Sequence, residues 1–283
     1  MASNLPSRFP EGGGPDPDTV SASVVVLAKN EAPNIGRCLH SIAWADQIVV
    51  VDSGSTDDTV AIAKDAGAEV VATRWRGFGP QREFALRLES LRNDWVFFVD
   101  ADEWVSTDLA REIDRVVAED DPNVAAYWMY YRLVFQGTWI RHSGWYPSSR
   151  IVRLMRRGSV NFGRDVFSEH PLVRGNVARL RNDLVDEDLK GLANWLHKHV
   201  DYAVLEASRR EKGLRPRSPY ESRVRHFIKN KVAVKVPARP VIQFLYMYVI
   251  RGGFLDGRPG LSFCFYHAWF QAVVNDLQYE SDR

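Results

Sequence analysis

A chain of 283 residues, 45% hydrophobic and 26% charged, holds enough apolar material for one large domain plus an appendage, which excludes a disordered, fibrous or disulfide-stapled miniature protein. Its two cysteines, Cys38 and Cys264, lie far apart with no metal-type spacing, and nothing ahead of the first apolar run resembles a secretory leader, so both are expected as packed thiols in a reducing cytoplasm. The net charge of +1 conceals an asymmetry, because residues 209–239 carry 11 Lys or Arg against Glu211 and Glu221, a local +9 that leaves −8 on the remainder.

Residues 1–20 are rich in Pro, Gly, Ser and Asp and cannot bury enough apolar surface to offset their ordering entropy, so a disordered tail is expected. Ser23 to Ala28 reads as a buried strand. Lys29-Asn30-Glu31 follows, then a helix with Pro33 in its first turn and Ile35, Cys38, Leu39 and Ile42 on one face. A second strand, Gln47 to Val51, ends in Asp52-Ser53-Gly54-Ser55-Thr56-Asp57-Asp58; the next helix stops at Gly67, and Glu69 to Ala72 forms a third strand. After a basic, aromatic loop from Thr73 to Gly79, a helix turns Phe84, Leu88 and Leu91 inward.

Trp95-Val96-Phe97-Phe98-Val99 then runs unbroken into Asp100-Ala101-Asp102-Glu103, the pattern of a strand buried on both faces. Strand and helix alternate four times with short connections, which predicts an α/β fold with a doubly wound, mostly parallel sheet flanked by helices. In such sheets ligands sit beyond the carboxyl ends of the strands, where Asp100 and Asp102 would project. Two carboxylates one residue apart, beside a third, call for a cation, and a hard divalent ion carrying a diphosphate answers that need. The alternative is that the acids cap the helix that follows. No Gly-rich phosphate-binding fingerprint follows the first strand, which argues against a dinucleotide-binding domain.

Ser106 can cap a helix carrying Leu109, Ile113, Val116 and Val117, and aromatic-rich segments at Ala125 to Phe135 and Ile151 to Met155 would extend the sheet. Between them lies the polar and aromatic loop Arg141-His142-Ser143-Gly144-Trp145-Tyr146-Pro147. Leu189 to Arg210 reads as a helix. Two apolar runs, Pro240 to Ile250 and Leu261 to Val274, flank Arg251-Gly252-Gly253-Phe254-Leu255-Asp256-Gly257-Arg258, and both are too short to span a bilayer. Beside the basic block they predict a helical, membrane-associating region over residues 209–283 that lies on an anionic membrane surface; the alternative is a helical subdomain packed on the sheet. No RNA-binding signature accompanies the basic block, so nucleic acid is not an expected partner.

Val24 to Glu31, Val51 to Asp57 and Val99 to Glu103 together resemble the three signature stretches of family 2 glycosyltransferases. His142 to Pro147, Arg153 to Gly158 and Arg251 to Gly257 resemble the subgroup that includes lipopolysaccharide-core glucosyltransferases. The resemblance implies a GT-A fold over residues 21–208, a nucleotide-sugar donor of UDP type, Mg²⁺ or Mn²⁺, and inversion at the anomeric carbon. It also implies a glycan or glycolipid acceptor, lipid-linked or of lipopolysaccharide type, and work in the cytoplasm, peripherally on the inner face of the plasma membrane. Matched position by position, Lys29, Asn30 and Glu31 would line the nucleotide pocket, Asp52 would read the base, and Arg82 would face the donor phosphates. Asp102 would bind the metal, with Asp100 nearer the ribose or a metal-bound water, while Glu103, Trp145 and Tyr146 would support the acceptor. Asp57, though part of the family pattern, reads as an N-terminal helix residue. Glu169 matches the acid that takes the acceptor proton, with Asp165 in reserve. Ser168 departs from the subgroup's usual histidine, and His170 offers an imidazole from the other side. Two competing classes are a sugar-phosphate nucleotidylyltransferase, which would need a Gly-rich loop after the first strand, and a non-catalytic nucleotide-sugar-binding protein.

Overall fold

The computed structural model describes residues 20–163, 170–211 and 238–281. β1 (Val20–Ala28) lies between β2 (Ala45–Asp52) and β4 (Trp95–Asp100), parallel to both, and β3 (Glu69–Ala72) continues the parallel set beyond β2. Strands buried on both faces need no alternation. Val24 and Val26 pack with α1 (Ala32–Ser41), α2 (Thr59–Asp65) and α4 (Thr107–Glu119) on one side, and Val25 packs with α3 (Phe78–Leu86) on the other. Residues 1–19 of the expected tail lie outside the described residues, and Val20 is already buried in β1. The helix expected to run to Leu91 ends at Leu86, leaving Leu88 and Leu91 in turns that still pack inward.

Ser106 caps α4 as its sequence suggests, its Oγ accepting the Leu109 N–H at 3.2 Å. The aromatic segments become β6 (Val124–Phe135) and β8 (Arg150–Arg156), and β8 runs antiparallel between β4 and β6. Four short strands complete the sheet around them: β5 (Glu103–Trp104), β7 (Thr138–Trp139), β11 (Asn176–Arg179) and β12 (Leu184–Asp186). The sheet is therefore mixed, in the order β3-β2-β1-β4-β8-β6-β12-β5, with β7 and β11 also pairing β6. A two-stranded ribbon, β9 (Val160–Phe162) with β10 (Pro171–Val173), stands apart from it. Because β2 and β3 lie on one side of β1 and β4 on the other, the connections reverse between β1 and β4, which opens a crevice at their carboxyl ends.

Residues 212–237, most of the basic block, lie outside the described residues; the C-terminal region from residue 238 packs on the domain. α5 (Gly191–Glu211) lies along α7 (Gly257–Ser281), preceded by α6 (Arg239–Leu245), a π turn over Tyr246–Ile250 and a 3-10 turn over Gly253–Asp256. Met247, Phe263 and Cys264 form a core cluster with Phe135 and Ile140 of the sheet side, and both cysteines are buried free thiols. The join is polar as well: Asp256 accepts the His142 N–H at 2.9 Å and lies 2.6 Å from His142 Nδ1, and Ser143 N–H donates to the Arg251 carbonyl at 3.1 Å. Among the described residues no helix is long and apolar enough to cross a membrane.

The glycines of the Arg251–Gly257 motif and Gly260 have two uses. Gly252 and Gly257 take φ of +72° and +66°, and a Cβ on Gly260 would stand 2.2 Å from the Gly253 carbonyl oxygen. Gly260→Ala gains about 1 kcal/mol of helix propensity but forces two backbones apart at a cost of about 1–3 kcal/mol, so net destabilisation is expected. A lower urea midpoint checks this; an unchanged or higher one would mean that the two turns do not approach so closely.

Candidate active site

Beside the end of β4, between it and α5 and α7, lies a cavity of about 560 Å³ whose lining takes no described residue from β1. Asp100, Asp102 and Glu103 line it from the end of β4, Arg153 from β8, Asp186 from β12, Lys198 and Trp195 from α5, Trp145 from its loop, and Phe263 and His267 from α7. Register explains the first contribution: Asp100 pairs with Leu27 at the end of β1, so the chain turns into the crevice immediately after it.

Asp100 is held by two guanidiniums. Arg82, from α3, donates through one nitrogen to both carboxylate oxygens at 3.0 and 3.1 Å, and Arg153 donates to Oδ2 at 2.6 Å. Arg153 also donates to Glu103 Oε1 at 2.7 Å, and Glu103 Oε2 accepts the Asp100 N–H at 2.7 Å, closing the acidic turn on itself. Burial opposes ionisation of Asp100, but Arg153 and Arg82 outweigh it and bring its carboxyl down to about 2. Glu103 is pushed upward by its deeper burial, against the pull of Arg153. Asp102 stands beside this knot, 14% exposed against 31% for Asp100, and among the described residues its one ion pair is with Lys198 Nζ at 3.3 Å. Burial, and then the charge of Asp102, push Asp186 up to about 8.

Four carboxyls, Asp100, Asp102, Glu103 and Asp186, thus face three cations, Arg82, Arg153 and Lys198. Burial holds Glu103 and Asp186 toward their neutral forms, and of the two strand-end aspartates Asp102 makes one ion pair with the described residues where Asp100 makes two, so it is the less committed to protein donors. Among the described residues no set of three His, Cys, Asp or Glu side chains converges as a closed metal cage. The donor set instead fits a hard cation that brings further oxygen ligands with it, as Mg²⁺ and Mn²⁺ do when they carry phosphates.

The remaining positions expected from the sequence fall around the crevice with partners of their own. Lys29 and Asn30 are exposed at the end of β1; Asn30, at φ +54°, accepts the Thr56 N–H at 2.8 Å. Glu31 binds Lys190 Nζ and Asn34 Nδ2, each at 2.7 Å, and burial raises its pKa despite the lysine. Asp52 is buried at the end of β2, accepting the N–H groups of Gly54 and Ser55 at 3.0 Å and the Ser55 hydroxyl. Those bonds use most of its lone pairs and hold the loop rigid. Asp57 ties the starts of α1 and α2 together through the Ala32 N–H, at 3.1 Å, and Thr59. Tyr146 turns away from the cavity that Trp145 lines, its hydroxyl donating to Asp183 at 3.0 Å. Asp165 and Glu169 lie outside the described residues.

Sequence reasoning passed over Asp186, Lys198, Trp195 and His267, and it quoted Arg153 without a role. Two signals were available. Val185-Asp186-Glu187-Asp188 repeats the apolar-then-acid pattern of Val99 to Asp102, and Arg153 interrupts an otherwise apolar strand. Trp195 stacks on His199 at 3.5 Å, and burial, then His199, push His267 down to about 4, so the far wall is aromatic and carries no charge from that imidazole near neutral pH.

A family model described as glycosyl transferase family 2 matches residues 23–179. An uncharacterized glycosyltransferase of Rickettsia felis is 35% identical over 148 residues, 52% of this chain and 51% of its own length; this chain spans about half the length of such relatives. The lipopolysaccharide core biosynthesis glycosyltransferase LpsC of Rhizobium meliloti is 28% identical over 262 residues, covering 86% of this chain and 88% of LpsC. Among solved structures, glucosyl-3-phosphoglycerate synthase of Mycobacterium tuberculosis, in complex with Mn²⁺, UDP and glucosyl-3-phosphoglycerate, is 28% identical over 40% of this chain and 44% of its own, with a TM-score of 0.34.

Proposed function

The chain belongs to glycosyl transferase family 2, and we propose that it moves a sugar from a UDP-sugar donor, with inversion, to a lipid-linked or lipopolysaccharide-type glycan. The observation that carries this reading is the pair Asp100 and Asp102 at the end of β4, where the sheet reverses, both lining a cavity large enough for a nucleotide sugar, with Asp100 already answered by two arginines. Asp102 would hold Mg²⁺ or Mn²⁺. When bound, such an ion would neutralise charge gathering on the departing diphosphate. Arg82 and Arg153 fix Asp100 in its ionised form, so the acidic turn keeps one shape as ligands arrive. Lys198, half-exposed and paired with Asp102, is in reach of the same phosphates. Trp145, Trp195 and Phe263 exclude water from the sugar's side of the cavity.

Glu169 is the proposed general base, with Asp165 in reserve; Glu169→Gln should keep UDP-sugar binding and lower transfer by at least about 100-fold. Loss in Asp165→Asn with transfer retained in Glu169→Gln would move the role to Asp165. The test of the whole reading is incubation with a panel of radiolabelled nucleotide sugars and Mn²⁺. Metal-dependent donor hydrolysis is expected, and none with any donor would overturn it. The likeness to LpsC along most of the chain supports a lipopolysaccharide-type acceptor.

Such an acceptor lies at a membrane, and the C-terminal unit has a surface that suits one. Val241, Ile242, Leu245, Val249, Ile250, Phe254, Leu255, Leu261 and Phe265 are all exposed, Ile250 by 73%. Helical spacing gives α7 two faces: Phe263 and His267 line the cavity, while Leu261 and Phe265 belong to the exposed set. The charged residues from 238 to 265 are Arg239, Arg251, Arg258 and Asp256, and the acid is buried against His142, so the exposed charge there is positive. An apolar face rimmed by arginine matches an anionic lipid interface, and we place the protein peripherally on the inner face of the plasma membrane. Sedimentation should show binding to phosphatidylglycerol but not to neutral vesicles, falling as salt rises, and abolished by Ile250→Glu with Leu255→Glu. Equal binding to both lipids, or dimerisation that these changes abolish, would assign the face elsewhere.

A further inference from the structure

Alternation along β6 sends Tyr131 and Leu133 toward the cavity and Trp128, Tyr130 and Arg132 to the opposite side of the strand. On that side four rings meet edge to face in a row: Trp128 to Tyr130 at 5.2 Å, Tyr130 to Tyr146 at 5.7 Å and Tyr146 to Trp139 at 5.2 Å. Four arginines lie on them. Arg150 and Arg179 stand 4.9 and 5.3 Å from the Trp128 ring, with Arg179 also 5.0 Å from Tyr130, and Arg132 and Arg141 stand 4.9 and 5.4 Å from the Trp139 ring. All four are exposed. The acid in the row, Asp183, is buried and already accepts from Arg132 Nε at 2.9 Å and the Tyr146 hydroxyl at 3.0 Å. Arg141, Arg150 and Arg179 make no ion pair with any described residue.

Placing two guanidiniums against one indole is unfavourable through like-charge repulsion unless an anion answers them. A guanidinium lying on a ring has its rotamer held by the stack and its N–H edge free, ready for a forked bond to phosphate or carboxylate oxygens. A single small anion can meet one pair; a row of rings with a pair near each end suits a ligand bearing several anionic groups along its length. None of the exposed large apolar side chains falls on β6, β7 or β8, so the row lacks what a lipid surface would need. It also borders the cavity: Trp145 and Ile151, the chain neighbours of Tyr146 and Arg150, are cavity-lining residues.

We infer that this arginine–aromatic row binds a saccharide carrying several phosphate or carboxylate groups, the charged part of the acceptor glycan, and holds it at the rim of the transfer site. Calling the ligand an acceptor rests on the glycosyl-transfer reading; the binding site itself does not. The test is titration of glucose 1,6-bisphosphate, with glucose and inorganic phosphate as controls, into the full chain saturated with UDP and Mg²⁺. Calorimetry and saturation-transfer NMR give the affinity. The bisphosphate should bind and glucose should not. Arg150→Gln with Arg179→Gln should weaken bisphosphate binding by at least about tenfold, with UDP affinity and unfolding midpoint unchanged, and the double Lys variant should fall between. Undiminished affinity in the Gln variant, displacement of the bisphosphate by UDP, or equally tight inorganic phosphate would overturn the inference. So would loss of phosphatidylglycerol vesicle binding with bisphosphate affinity intact, which would mark a lipid-headgroup surface. If the double variant fails to fold, Arg141→Gln carries the same test with an expected weakening of about threefold. Absence of UDP binding in the parent would sink the glycosyl-transfer reading alone, because titration without UDP still reads the row.

Discussion

Asp102→Asn is expected to lower Mn²⁺-supported sugar transfer by about 1000-fold or more while leaving the unfolding midpoint nearly unchanged. A bound divalent ion supplies several kcal/mol of charge stabilisation in the transition state, and each 1.36 kcal/mol is a factor of ten in rate. Asn keeps the shape of Asp but offers one neutral oxygen to the cation. The cost to the fold is small because Asp102, 14% exposed, pairs at 3.3 Å with a Lys198 that is 38% exposed, so the pair is worth about 1 kcal/mol rather than the roughly 3–5 kcal/mol lost when a fully buried pair is broken. The measurement is a Mn²⁺ titration of transfer beside thermal unfolding. Transfer at the parental rate across that titration would remove the metal from Asp102, and a collapsed midpoint would make the acid structural.

Arg153→Leu should do the reverse, striking stability first. The guanidinium is 4% exposed and bridges Asp100 at 2.6 Å and Glu103 at 2.7 Å, and Glu103 is 5% exposed. Removing it strands Glu103 without a cation and leaves Asp100 to Arg82, which costs about 3–5 kcal/mol where a buried pair loses one member, a large share of a typical domain's stability. Urea unfolding measures this, and Glu103→Gln in the same chain should recover part of the loss by removing the stranded charge. A loss below about 1 kcal/mol would mean that water already reaches the cluster. The acid limb gives a second reading. Asp100, at about 2, titrates below its usual value, so its contribution to stability is present above roughly pH 4 and disappears as pH falls toward 2. With Arg153 gone the carboxyl should titrate higher, and the variant should lose stability at a higher pH than the parent.

The sequence by itself determined the framework. Continuous apolar runs such as Val24 to Ala28 and Trp95 to Val99 can only be covered on both faces, so a layered α/β domain followed from them, and the acids at their ends marked the crevice. Ser106 and Gly67 punctuated helices because capping and left-handed turns are chemistry of one or two residues. The apolar runs after residue 238 declared themselves apolar without saying what would cover them, since burial in a core and exposure toward lipid select the same side chains; tertiary packing divided α7 between the two. Likewise, Asp100 is a carboxylate in any reading. Its ionised state depends on Arg82 and Arg153, which α3 and β8 deliver from 18 and 53 residues away, and Asp102 meets its cation in Lys198, 96 residues on. The arginine row shows the same division: the spacing of Trp128, Tyr130 and Arg132 is local, whereas Arg150 and Arg179 join them through pairing of β8 and β11 with β6. Strand and helix patterns are written in neighbours a few residues apart and survive in the sequence. Ion pairs and ring stacks between distant elements leave no such period, and only the packing that brings those elements together decides them.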